Sequence, residues 1–209
     1  NVFTITSSIV ITIKAEDEIY TQTKRIHNYK TNLDRLDKLN RLSREICRTT
    51  PPVTYIKEYY NTILESRTYS FLPVCGTYGL IALSLTIYFG GNIADGIVSG
   101  ILGILMYLLI FKSEDIGANI TLVTMAIAFI IGTLAVISVK LGFGNDLDKI
   151  VTGNIMLMIP GVAITNSLRD MISGDTMSGL LRFAESIIKA IAVAAGFVMA
   201  TVYLGGFIL

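Results

Sequence analysis

Five long stretches without a charged residue occupy most of this 209-residue chain after Arg67. They contain 27, 16, 24, 19 and 20 residues and lie at 68–94, 96–111, 116–139, 150–168 and 190–209. A helix needs about 20 apolar residues to cross the hydrocarbon core of a bilayer. The second stretch is short, and we expect Asp95 to lie at the interface and extend it. The pattern therefore predicts an integral membrane protein with five transmembrane helices.

Charged residues are concentrated in the first part of the chain. Residues 1–67 contain 19 charged residues, whereas residues 68–209 contain 14. We therefore expect a cytoplasmic domain at 1–67 and a five-helix transmembrane domain at 68–209. The net charge is +1, and lysine and arginine form no basic stripe in the sequence, so nucleic acid is not expected as a partner.

The first 67 residues predict a small α+β domain. Apolar and polar residues alternate in three short runs over residues 2–26, which is typical of a three-stranded meander. From Asn32 the apolar period becomes helical and continues to Pro51–Pro52, where prolines end the helix. A second amphipathic helix then runs toward the membrane.

Small residues within the apolar stretches indicate where helix backbones approach one another. Gly96-x-x-x-Gly100, followed by Gly103, and Ala192-x-x-x-Gly196 have the spacing that favours close helix packing. We expect this packing to occur within one bundle.

The positions of lysine and arginine near the predicted helix ends favour one orientation. With a cytoplasmic N-terminus, the cytoplasmic side receives Lys57, Arg67, Lys112, Arg169 and Arg182. The outer side then receives Lys140 and Lys149. We therefore expect the N-terminus inside and the C-terminus outside.

One segment carries more polar residues than a simple transmembrane helix needs. Pro160 and Gly161 predict a break in the fourth span, because proline removes a backbone donor and glycine loosens the same turn. A break at membrane depth is tolerated where it faces protein or a water-filled cavity. Polar residues at helical spacing follow, with a turn expected at Gly174. The candidate substrate and ion path comprises Pro160, Gly161, Thr165, Asn166, Arg169, Asp170, Gly174, Asp175, Ser178, Arg182 and Glu185.

These residue types suit the binding of a small polar solute. Arginine can hold a carboxylate through two hydrogen bonds, amides and hydroxyls bind other polar groups, and carboxylates can carry a proton. An interfacial loop with capped helix ends would also account for Asp175. We expect neither an enzyme, since no nucleophile–base pair or phosphate-binding loop occurs, nor a metal or cofactor, since His27, Cys47 and Cys75 are far apart in the sequence.

The polar segment resembles the signature of the bacterial threonine/serine exporter family. From Pro160 to Glu185 it reads P-G-x-x-x-T-N-x-x-R-D-x-x-S-G-D-x-x-S-G-x-x-R-x-x-E. The meander ending in Lys24–Arg25–Ile26, the helix containing Asn40–Arg41–Leu42–Ser43 and the five spans match in the same order. The resemblance implies a proton-coupled exporter of threonine or serine in the bacterial inner membrane.

The resemblance also implies a partner within the membrane. Some family members carry ten spans in one polypeptide, whereas others, including a succinate-exporting pair, divide into this half and a smaller subunit. We therefore expect a second membrane half, supplied by another gene product or another copy of this chain. Two alternatives remain, a subunit that exports a C4-dicarboxylate such as succinate and a membrane scaffold that transports nothing.

Overall fold

The structure is a computed structural model that describes residues 2–5, 8–15, 18–26, 32–66, 69–113 and 119–206. Contacts divide the chain into two compact units. The first unit contains residues 1 and 7–70, and the second unit contains residues 2–6 and 71–209. The histidine at position 27 lies outside the described residues.

Three short strands account for the alternating pattern near the N-terminus. They are β1 (Val2–Ile5), β2 (Ser8–Ala15) and β3 (Glu18–Arg25). Strands β2 and β3 pair antiparallel, from Ser8 opposite Arg25 to Ala15 opposite Glu18. The predicted strands over residues 2–26 are therefore present.

Two amphipathic helices, α1 (Leu33–Thr49) and α2 (Val53–Glu65), pack together in the first unit. The Asn32 side chain caps α1 by accepting the Arg35 N–H at 3.0 Å. Arg35 in turn donates from Nη2 to the Leu64 carbonyl at 2.7 Å, near the C-terminal end of α2. A cation at that end is stabilised by the helix dipole. Asn32 and the two prolines were predicted as helix boundaries, whereas the Arg35 contact was not.

The second unit contains the predicted transmembrane helices. Helices α3, α4, α5 and α8 are each long and apolar enough to cross a membrane. Helices α6 and α7 meet the same criteria only as a pair bent by 48°, which gives four spans, or five if the pair is one broken span. The fold class, an α-helical membrane protein with a small N-terminal α+β part, is therefore confirmed. The helices are α3 (Phe71–Tyr88), α4 (Ile93–Ser113), α5 (Ile120–Lys140), α6 (Leu147–Met158), α7 (Gly161–Ile172) and α8 (Thr176–Gly206).

The core of this unit lies where α4, α5, α6 and α8 meet. Met106, Ile131, Ile150 and Phe197, one from each helix, are buried together. Helix α6 packs against α3, α4, α5 and α8, and among the described elements α7 packs only against α8. Thus the first half of the bent span is buried in the bundle, and its second half is attached at one side.

Glycines bring the helix backbones into direct contact, as predicted. A Cβ at Gly103 would lie 2.8 Å from the Tyr78 carbonyl oxygen, where α4 crosses α3. A Cβ at Gly196 would lie 2.5 Å from the Met125 carbonyl oxygen, where α8 crosses α5. Both contacts are shorter than a side chain allows, so these small residues serve packing within the chain.

Candidate functional site

The predicted break in the fourth span lies between α6 and α7. Ile159 ends α6 in an extended conformation, and Pro160 immediately precedes α7. The Gly161 N–H donates to the Ile159 carbonyl at 2.8 Å instead of continuing the helical ladder. A Cβ at Gly161 would have no atom within 4 Å, so this side of the break is open within the chain. Proline thus produces the bend that the sequence predicts.

Polar side chains follow the break along one exposed face of α7. Thr165, Asn166 and Arg169 are exposed, at the i, i+1 and i+4 positions of the helix. Val162, 69% exposed, and Ile172, 88% exposed, lie at the two ends of this face. We call these five residues the α7 face. It presents a guanidinium, an amide and a hydroxyl between two apolar side chains.

Asp170 does not share this exposed environment. Its Oδ2 lies 3.2 Å from Nη1 of Arg182 on α8, and this ion pair joins the two helices. Among the described residues no ion pair involves Arg169. The two adjacent charged residues of the signature therefore differ, because Asp170 links α7 to α8 whereas Arg169 is exposed on α7.

Gly174 and Asp175 form the turn between α7 and α8. Gly174 has a φ of 101°, a left-handed conformation that favours glycine. The Asp175 N–H donates to the Asp170 carbonyl at 3.0 Å and the Gly174 N–H to the Met171 carbonyl at 3.3 Å. This is a Schellman motif, which satisfies the last carbonyls of α7. The predicted helix end at Gly174 is confirmed, and Asp175 directly precedes α8 as expected.

Four polar or charged residues at helical spacing, which we call the polar stripe, follow the turn and belong to a single long helix. Ser178, Arg182, Glu185 and Lys189 all lie on α8, which continues without a break into the last apolar stretch. Arg182 is exposed and the other three are half-buried. Of this stripe, the structure brings Arg182 into contact with the α7 part of the signature.

Gly179, which was not predicted as a site residue, explains how α7 is held. A Cβ at this position would lie 2.7 Å from the Ser167 carbonyl oxygen and 2.5 Å from Cγ of Met171. Ser167 is fully buried there. The backbones of α7 and α8 therefore touch at Gly179. The sequence signal was a glycine inside a helical stretch, which by itself does not identify the partner helix.

A second polar cluster was missed because its members are isolated in apolar stretches. Thr86, Ser99 and Asn154 are fully buried between α3, α4 and α6. Asn154 donates from Nδ2 to Ser99 Oγ at 2.9 Å, and Ser99 donates to the Ala82 carbonyl at 3.2 Å. A Cβ at Gly153 would lie 2.1 Å from Thr86 Oγ1. These contacts fix the first half of the broken span against two other helices.

Metal-binding chemistry is not evident in the described ranges. No group of three or more His, Cys, Asp or Glu side chains among them is arranged to hold a metal ion. Cys47 and Cys75 are both free thiols. The polar groups on α7 after the break are a guanidinium, a carboxylate, an amide and hydroxyls.

Long apolar helices around a bent span define a multi-pass membrane protein. The family model described as "Putative threonine/serine exporter" matches residues 1–204, and the chain belongs to this family of transporters. The resemblance first seen at Pro160–Glu185 is thereby confirmed over nearly the whole chain. No curated protein and no solved structure matches the chain.

Proposed function

We propose that this chain is one half of a secondary exporter that moves threonine or serine out of the bacterial cytoplasm. The observation that carries the proposal is the α7 face, which places Arg169 beside Asn166 and Thr165 directly after a break in a span. A guanidinium binds a carboxylate through two parallel hydrogen bonds. The amide and hydroxyl suit the ammonium and hydroxyl groups that both amino acids carry.

Proton coupling is supported by the position of Asp170. This carboxylate lies one residue from Arg169 and contacts Arg182 at the α7–α8 junction. A change in its protonation weakens the ion pair, which alters the attachment of α7 to α8. A proton can thereby act on the helix that presents the substrate-binding groups, so Asp170 is the proposed proton carrier.

The second membrane half is the proposed cover of the α7 face. Hydrocarbon cannot satisfy the amide of Asn166, which lies within the uncharged stretch 150–168, so this side chain is expected to face protein or water. Transporters often pair two repeats of opposite topology around a site made by broken helices. Another gene product or another copy of this chain would supply the second repeat.

The charge distribution favours an amino acid over succinate, the alternative substrate. In the described part of the chain Arg182 is occupied by Asp170, whereas Arg169 has no ion pair. One available guanidinium matches one carboxylate. A dicarboxylate would require a second cation from the partner half.

Export from loaded cells tests the function. Cells that contain the chain and its second half are expected to release threonine or serine faster than cells without them, and succinate at an unchanged rate. Faster succinate release with unchanged threonine would favour the alternative substrate. Release of none of the three would favour the non-transporting scaffold.

The chain is proposed to lie in the bacterial inner membrane with its N-terminus on the cytoplasmic side. Both native cysteines are first replaced, by Cys47→Ser and Cys75→Ser. A single cysteine is then introduced either as Leu141→Cys, between α5 and α6, or as Ser173→Cys, between α7 and α8. The two positions report opposite sides of the membrane. An impermeant thiol reagent added to intact cells should label position 141 and spare position 173. Both positions are exposed, so labelling does not depend on unfolding. The reverse labelling pattern would invert the topology.

A further inference from the structure

Asp95 is a buried carboxylate in the first turn of α4, and only 1% of the residue is exposed. Its N–H donates to Asn92 Oδ1 at 2.9 Å, and the Asn92 N–H donates to Asp95 Oδ2 at 3.1 Å. This reciprocal pair is a capping box, which satisfies two of the N–H groups at a helix start. The capping box uses only one of the two carboxylate oxygens.

The other oxygen of Asp95 holds a different loop. Oδ1 accepts the Asn145 N–H at 2.6 Å and the Asp146 N–H at 3.1 Å. A Cβ at Gly144 would lie 3.3 Å from the same oxygen, so the α5–α6 loop approaches the carboxylate closely. Burying a carboxylate is unfavourable unless hydrogen bonds compensate, and three N–H groups do so here. Capping of α4 alone would not require this arrangement.

The loop that Asp95 holds is the start of α6. Asp146 is the N-cap of α6, and its Oδ1 accepts the Asp148 N–H at 3.1 Å and the Lys149 N–H at 3.3 Å. From there α6 runs for 12 residues to the break before α7. Because α6 is one continuous helix of 12 residues, we expect a displacement at Asp146 to shift the break as well.

We propose that Asp95 is a positioning residue for transport. It fixes the start of α6 through Asn145 and Asp146, and through α6 it determines where the break at Pro160 and the α7 face lie. This inference rests on the proposed function. Asparagine is a poor substitute, because its single acceptor oxygen cannot serve both loops and its NH2 group would face an N–H donor.

Three variants separate this role from simple helix capping. Asp95→Asn removes the carboxylate, whereas Asn92→Ala removes the other half of the capping box and keeps both cross-loop bonds. Gly144→Ala retains every charge but places a Cβ 3.3 Å from Asp95 Oδ1, so we expect the loop and the carboxylate to move apart by a few tenths of an ångström. The same Cβ would lie 2.6 Å from Ile150 Cδ1, a contact that rotation of the Ile150 side chain relieves. Each is made in the full chain with its second half, and Asn92→Ala is the matched control.

The first measurement does not depend on transport. A cysteine at Gly161, where no atom lies within 4 Å of a Cβ, reports the accessibility of the break to a thiol reagent in the Cys47→Ser, Cys75→Ser background. Asp95→Asn and Gly144→Ala are each expected to change its labelling rate at least about threefold, since a displacement of about 1 Å strongly alters a positioned site. Asn92→Ala should change the rate less than about twofold, because it leaves α6 held.

The second measurement is threonine efflux, resolved into KM and maximal rate. The two displacing variants should raise KM by about tenfold, as expected for misplaced binding groups, while Asn92→Ala keeps the wild-type KM. If Asp95→Asn inserts into the membrane and the cysteine at position 161 is labelled at the same rate as in Asn92→Ala, the inference is overturned. If Asp95→Asn fails to insert, Gly144→Ala decides by the same comparison. A wild-type chain without efflux contradicts the proposed function, and the labelling still decides the role of Asp95.

Discussion

Replacing Arg169 by alanine is expected to weaken threonine export by roughly 10- to 150-fold, since a hydrogen bond to a charged group contributes about 1.5–3 kcal/mol. The side chain is exposed on α7 and takes part in no ion pair among the described residues. Its removal therefore leaves the contact of α7 with α8 at Gly179 intact. Export is measured as initial efflux, and insertion as the amount of chain in the membrane fraction.

The form of the arginine side chain provides a sharper test than its charge. Arg169→Lys keeps the positive charge but loses the planar fork that binds a carboxylate with two bonds, so it should also export weakly. Leu168→Ala, a change at the neighbouring exposed position, is the matched control and should export normally. Wild-type export by Arg169→Lys would show that the fork is not used, and wild-type export by Arg169→Ala would remove Arg169 from the site.

The second large effect is expected at the ion pair between Asp170 and Arg182. Asp170→Asn keeps the shape of the side chain and loses both the titratable proton and the charge that contacts Arg182 at 3.2 Å. We expect export to fall and its dependence on pH to flatten, because the proposed proton carrier is gone. Initial efflux is measured across a series of external pH values.

A charge exchange separates the proton from the contact. The double variant Asp170→Arg with Arg182→Asp restores an ion pair between α7 and α8 but moves the carboxylate to the other helix. Asp148→Asn, an exposed carboxylate at the opposite end of the bent span, is the matched control. If the exchange restores export and its pH dependence fully, the pair is a structural contact. Wild-type efflux by Asp170→Asn at every pH would exclude Asp170 as the proton carrier.

Features with a local cause could be predicted from the sequence. The transmembrane helices follow from uncharged stretches, because a bilayer imposes its thickness on each helix. The break at Pro160 and the left-handed residue at Gly174 follow from the backbone chemistry of proline and glycine. Helical spacing also placed Thr165, Asn166 and Arg169 on one helix, which is α7. It did not show which side of this helix is exposed.

Contacts between distant residues could not be predicted in this way. Asp95 in the first turn of α4 accepts the N–H of Asn145 in the α5–α6 loop, and a single sequence contains no signal that relates these two residues. The same holds for Asp170 and Arg182, since helical spacing does not determine which residue of α7 turns toward α8. Gly179 was visible as a glycine, but its close approach to the Ser167 carbonyl depends on how the two helices cross.

Reconstituted transport tests the central claim most directly. Purified chain is placed in liposomes loaded with threonine, alone at a lipid dilution that isolates monomers and together with its second half, with and without a proton gradient. The account predicts gradient-driven threonine efflux only when the second half or a second copy is present, and loss of that efflux in Arg169→Ala. Full efflux from isolated monomers would contradict the two-half design, and no threonine or serine efflux under any condition would contradict the proposed function.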